Sequence, residues 1–177
     1  MRQSTDATEE QIQGWFAGRI PDDWFIAPPE VSVDREEILA VGTLPDPDLP
    51  EDTTDDARAA ARDARIAGHR EDTRGRRMRI ADEAERRFGR KVSWGAACGD
   101  KRHLFTTLSI PAMTRVRMPE RRVLDTLVEA GVARSRSHAL AWCVHLVAER
   151  QEEWLADLRG ALEKVREVRA EGPNKQA

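Results

Sequence analysis

The chain has 177 residues, room for one domain of ordinary size or a small domain with long appendages, which excludes a large multidomain enzyme. Hydrophobic residues make up 40% and charged residues 34%, so a modest core with much solvated helix is expected. The formal net charge of -3 hides a polarised order: residues 21–56 hold twelve Asp or Glu against one Arg, whereas residues 57–122 hold eighteen Lys or Arg against eight acids. The acidic stretch is thus placed to screen a basic one that suits a polyanion.

Thr8-Glu9-Glu10-Gln11 has the form of a capping box, and Ile12, Trp15 and Phe16 follow at helical spacing, which predicts a short helix over 9–18. Trp24-Phe25 repeats the aromatic pair, and Val31, Val33, Ile38, Leu39, Val41 and Leu44 predict two short strands around Asp34–Glu37. Residues 1–44 therefore read as a small α/β docking segment, able to hold a protein partner. Residues 45–56, with three prolines and an acid at half the positions, read as a linker. Thr54 or Asp55 then caps a long Ala/Arg/Glu-rich helix over 57–90, with Gly68 and Gly75 as weak points and Gly89 as its stop. Only Ile66, Met78, Ile80 and Phe88 give that helix bulk, so it is expected to be a solvated arm or to lie on a polyanion. Over 91–111 the period becomes strand-like, with Gly99-Asp100 as the turn of a hairpin that Pro111 closes.

Val116 and Met118 alternate with Arg115 and Arg117, the pattern of a strand, and Pro119 suits the first turn of a helix. Val123, Leu124, Leu127 and Val128 form an apolar helical stripe that Gly131 ends, and Ser135 caps a second helix whose buried side begins at Leu140. From Leu140 and Val144 through Val147, Gln151, Trp154, Leu158, Ala161 and Val165 to Val168 the spacing is 4,3,4,3,4,3,4,3, a heptad seam. It suits a coiled coil with a second copy, or packing on another long helix such as 57–90. The fold class expected is mainly α with short β elements: an N-terminal α/β segment, and over 112–172 a strand-and-helix region extended by a long helix.

This order of strand, proline, helix, glycine turn, Ser-Arg-Ser and helix, over roughly 113–154, resembles the ribbon-helix-helix superfamily, the fold of the Arc and methionine repressors. The resemblance implies a homodimer whose paired strands enter the major groove of double-stranded DNA. By position it implies that Arg115, Arg117 and Met113 read base edges, and that Arg134, Ser135, Arg136 and Ser137 hold the phosphate backbone at a helix N-terminus. The dimer core it implies is Val116, Met118, Val123, Leu124, Leu127, Leu140, Val144 and Val147. His138 stands where the family usually carries Glu and cannot complete the capping box as a carboxylate would. A winged-helix or other helix-turn-helix arrangement also places a glycine turn between two helices.

No phosphate loop, nucleophile elbow or zinc-protease pair occurs, so no enzyme and no cofactor is expected. Cys98 and Cys143 read as small buried thiols of a reducing compartment, and Cys98-x4-His103 and Cys143-x-His145 match no usual zinc spacing, so no metal is expected. Stretches free of charge such as Leu104–Thr114 are too short to span a bilayer, and no signal core follows Met1, so the expected location is the cytoplasm. A homodimeric transcriptional regulator is the reading that absorbs most of these features. The alternative is a helical adaptor in which the seam and the Trp-Phe segment hold a protein partner and the arginines are only solvated.

Overall fold

The computed structural model describes residues 7–171, which form two compact units divided after Pro111. The chain is mainly helical with one small sheet, six helices and four strands among the described residues.

The first unit opens with helix α1 (Glu9–Arg19), where the capping box is made: the Gln11 N–H donates to Thr8 Oγ1 and the Thr8 N–H to Gln11 Oε1. Strands β1 (Glu30–Val33) and β2 (Glu37–Thr43) form an antiparallel hairpin, its turn held by Asp34 Oδ1, which accepts from the Glu36 and Glu37 N–H groups. Helices α2 (Asp55–Asp72) and α3 (Arg74–Phe88) follow, then β3 (Lys91–Cys98) and β4 (Lys101–Leu104), an antiparallel pair turning at Gly99 with φ 56°. The sheet order is β1-β2-β3-β4, and β2 and β3 are parallel over seven residue pairs, from Glu37 beside Lys91 to Thr43 beside Ala97.

A parallel neighbour cannot be reached by a tight turn, so the segment between β2 and β3 has to cross back over the sheet. The arginine-rich helices are that crossover, which corrects the expectation of a solvated arm. They bury Ile66, Ile80 and Ala84 in one cluster with Ile12 and Phe16 of α1, Ile38 and Ala40 of β2, and Trp94, Ala96 and Cys98 of β3. The parallel register puts the even-numbered residues of β2 and β3 on this one face. Gly42 lies there too, and a Cβ at that position would overlap the Phe25 ring.

The helix expected over 57–90 is two helices. It passes Gly68 unbroken and ends at Thr73, whose hydroxyl and N–H both donate to the His69 carbonyl and whose own hydroxyl accepts from Arg77 Nε. Arg77 is buried, its guanidinium 4.7 Å from the Phe105 ring centroid and donating to the Arg70 carbonyl. The acidic stretch is part of the folded unit. It contains β1 and β2, and Asp46 in the proline-rich segment accepts 2.7 Å and 2.5 Å bonds from Arg62, which also reaches Asp100 at 2.8 Å. The sheet thereby joins the segments 1–44, 45–56, 57–90 and 91–111 into one unit.

The second unit holds α4 (Met118–Glu129), α5 (Arg136–Arg150) and α6 (Glu152–Glu171). The helix expected to run unbroken from Ser135 past Val168 is interrupted at Gln151, with φ -125° and ψ 30°, so the heptad seam is carried by two separate helices. No strand forms over 111–117 in the single chain, and Met118 begins α4. A strand whose partner is a second copy has no ladder to join in one chain.

His69 gives this unit a pH dependence. Its ring packs against Trp24, Phe25 and Phe105, and its Nε2 is buried without a partner. Burial first, then the Arg77 charge, pushes its pKa below the ordinary histidine value, with Asp72 opposing. The unfolded chain therefore takes up a proton that the folded one refuses, and stability is expected to fall as pH drops below about 6.5. Thermal melts between pH 7.5 and 5 should show this slope in the wild type and a flatter one in His69→Phe; equal slopes would remove His69 as its source.

Candidate nucleic-acid interface

The second unit is built around one turn. At the end of α4 the Gly131 N–H donates to the Val128 carbonyl and the Val132 N–H to the Leu127 carbonyl, each at 3.0 Å, while Gly131 takes φ 74°. This is a Schellman cap, which needs a left-handed residue and so a glycine. The chain then reaches Ser135, whose Oγ accepts from the His138 N–H at 3.2 Å and starts α5. His138 does supply an acceptor in place of the absent carboxylate: its Nδ1 takes the Arg134 N–H at 3.2 Å, one residue before the position that a capping box would satisfy.

Across the turn, Arg136 Nε and Nη2 meet Asp125 Oδ1 and Oδ2 at 2.6 and 2.8 Å, a bidentate pair that ties α5 to α4. The Arg136 bond holds the Asp125 carboxyl below its usual range. Arg136, one of the two arginines expected to hold phosphate, is thus engaged within the chain, and an incoming phosphate would have to compete with Asp125. Arg134, Ser135 and Ser137 are exposed beside it at the N-terminus of α5.

The residues expected to read bases lie just before α4. Arg115 and Arg117 are exposed, Met113 is 97% exposed, and Arg117 has the extended backbone of an N-cap, φ -83° and ψ 178°. Val116 between them faces inward and packs on a small cluster of Leu124, Ala133 and Ala139. The expected dimer core divides accordingly. Leu124, Leu127 and Leu140 join that intramolecular cluster with Val116, whereas Met118, Val123, Val144 and Val147 stay exposed.

Sequence reasoning missed a cleft of about 890 Å³ in the first unit, because it read α2 and α3 as one exposed helix, solvated or lying on a polyanion. Arg70, Arg74 and Arg77 line it above Trp94, Leu104 and Phe105, a cationic wall on an apolar floor. The structure does not pair Cys98 with His103. Cys98 is buried, its thiol near the Pro45 carbonyl and Asp46, and burial raises its pKa; His103 Nε2 meets Asp63 at 2.9 Å. No group of potential metal ligands and no helix long and apolar enough to cross a membrane occurs among the described residues.

The family described as "Rv1265-like protein, N-terminal domain" matches residues 10–104, and that described as "Mb1296 C-terminal domain" matches residues 117–169. Among curated relatives, "Uncharacterized protein Mb1296" of Mycobacterium bovis and "Uncharacterized protein Rv1265" of Mycobacterium tuberculosis are each 56% identical over 160 residues, 90% of this chain and 69% of the relative. No solved structure matches. The two matched segments fall one in each compact unit, and Arg115 lies between them.

Two substitutions check the turn. Gly131→Ala forces a Cβ into the left-handed region and should destabilise the second unit by about 1–2 kcal/mol, read as a fall in helix content on heating. Asp125 has a lowered pKa, so its contribution exists above the unfolded carboxylate value, about 3.9, and is lost as pH falls through the lower folded one. Asp125→Asn should reduce acid sensitivity below about pH 4; an unchanged acid limb would show that the pair contributes nothing measurable.

Proposed function

The chain belongs to the Rv1265-like protein family, and we propose that it is a homodimeric DNA-binding protein, a transcriptional regulator of the ribbon-helix-helix kind. The observation that carries this reading is the unladdered segment ahead of α4, extended at Arg117, in which two exposed arginines flank the inward-facing Val116. In a strand, residues two apart share a face, so Arg115 and Arg117 project together while Val116 points the other way. A second copy would pair with the backbone of this segment in a two-stranded ladder, in place of the bond that Arg121 Nη1 gives the Val116 carbonyl within one chain. The same second copy would cover Met118 and Val123. The resulting two-stranded ribbon has the width that the major groove admits, and two arginines from each chain would meet guanine edges.

The phosphate contacts in this reading come from the N-terminus of α5, where the N–H groups of the first turn and the exposed Arg134, Ser135 and Ser137 stand. Arg136 contributes there to the extent that phosphate displaces Asp125.

Titration of variants against a preferred duplex, selected from random sequence, and a scrambled one tests the division of labour. Arg117→Ala should erase most of the preference, about 1–3 kcal/mol for each lost bidentate guanine contact. Arg134→Ala should weaken both duplexes alike and lower the salt slope by about one ion. Equal losses on both duplexes for Arg117→Ala would overturn base reading by this segment. Binding that shows no salt dependence would overturn DNA as the partner and favour the adaptor.

A further inference from the structure

We propose that α6 pairs with α6 of a second copy in antiparallel orientation, with Trp154 of each chain against Val165 of the other and Asp157 against Lys164. The proposal rests on the homodimer part of the reading above and not on DNA contact.

The helix is 20 residues long, about 30 Å at 1.5 Å per residue. Its seam, Trp154, Leu158, Ala161, Val165 and Val168, keeps the spacing 4,3,4,3, and the four large members are 42–67% exposed. A face of this size without cover is unusual for a solvated helix. The opposite side carries Glu152, Arg159, Glu163 and Arg166, so the stripe is one-sided. Heptad packing puts the seam at the core positions and leaves two flanks, Leu155 and Leu162 on one, Asp157 and Lys164 on the other.

Those flanks choose the orientation. In a parallel pair each core residue meets its own copy, so Trp154 stacks on Trp154 and Ala161 on Ala161, and Lys164 faces Arg169 of the other chain, a like-charge contact made twice by symmetry. In an antiparallel pair centred between Leu158 and Ala161, large meets small in each central layer: Trp154 on Val165 and Leu158 on Ala161. Leu155 then lies beside Leu162 of the second copy, extending the apolar strip, and Asp157 beside its Lys164, an opposite-charge contact made twice. One register satisfies the core, the apolar flank and the charged flank together, and the parallel register satisfies none of them.

Oxidative cross-linking of the full chain tests the register. A mixture of Trp154→Cys and Val165→Cys chains should give a disulfide dimer at twice the 20.0 kDa chain mass that neither variant gives alone, with the unsubstituted chain setting the background from Cys98 and Cys143. A dimer from Trp154→Cys alone means parallel pairing and overturns the proposal. If light scattering finds a dimer but the mixture does not cross-link, the α6 pairing fails and the ribbon homodimer stands; a monomer overturns both. Charge reversal supplies an independent readout. Lys164→Asp should weaken association several-fold, and adding Asp157→Lys should restore it. Strengthening by Lys164→Asp alone, the result that relief of the Lys164–Arg169 contact would produce, also overturns the antiparallel register.

Discussion

The pairing of β2 with β3 is the constraint on which the first unit depends. Seven parallel residue pairs, from Glu37 beside Lys91 to Thr43 beside Ala97, span about 20 Å at 3.3 Å per residue. The chain therefore leaves β2 at one end of the sheet and has to enter β3 at the other. Helices α2 and α3 make that return, and their apolar residues are spent covering the sheet. Once the crossover lies on that face, Trp94 and Phe16 meet within 5.9 Å, α1 closes the layer, and the β1–β2 hairpin becomes one side of the sheet.

The same topology redistributes charge. Arg62 is held between Asp46 and Asp100, Arg102 by Glu30, and Arg19 by Glu83. The acidic stretch neutralises part of the basic one by direct contact inside a folded unit, and the excess of eighteen bases over eight acids overstates the charge that region offers outward. Most of these pairs are exposed and contribute little to stability. The Arg62 pairs fix the proline-rich segment and the turn between β3 and β4 to α2.

The second unit is limited by how little it buries. Among the described residues only Leu124, Ala133 and Ala139 are buried there, with five partly buried side chains around them. A core of that size supplies little of the apolar burial that offsets chain entropy, and small units of this kind are usually completed by a metal, a disulfide or association. Cys98 and Cys143 are both free. The exposed apolar residues on α4, α5 and α6 are a surface that association would cover. The proposed ribbon and the proposed α6 pairing place that surface against itself.

Elements governed by contacts three or four residues apart were legible from the sequence. The capping box at Thr8, the Asp34 turn between two short strands, the glycine stops at Gly89 and Gly131, the Ser135 cap and the hairpin turning at Gly99 stand where local stereochemistry puts them. Around Arg115 and Arg117 the expected alternation does not extend: Val116 is half-buried, but Thr114 and Met118 are exposed and no strand forms in one chain. Tertiary structure decided the rest. The sequence contains no local signal that residues 38–43 and 92–97 are neighbours, so the parallel pairing, the burial of Arg77 and the cleft beneath Arg70 could not be read from periodicity. The breaks at Thr73 and Gln151 fall at residues that are neither glycine nor proline, and at Thr73 the side-chain bonds to the His69 carbonyl and from Arg77 override propensity. Local pattern set where helices and strands start and stop; long-range pairing set which of their faces were left for a partner.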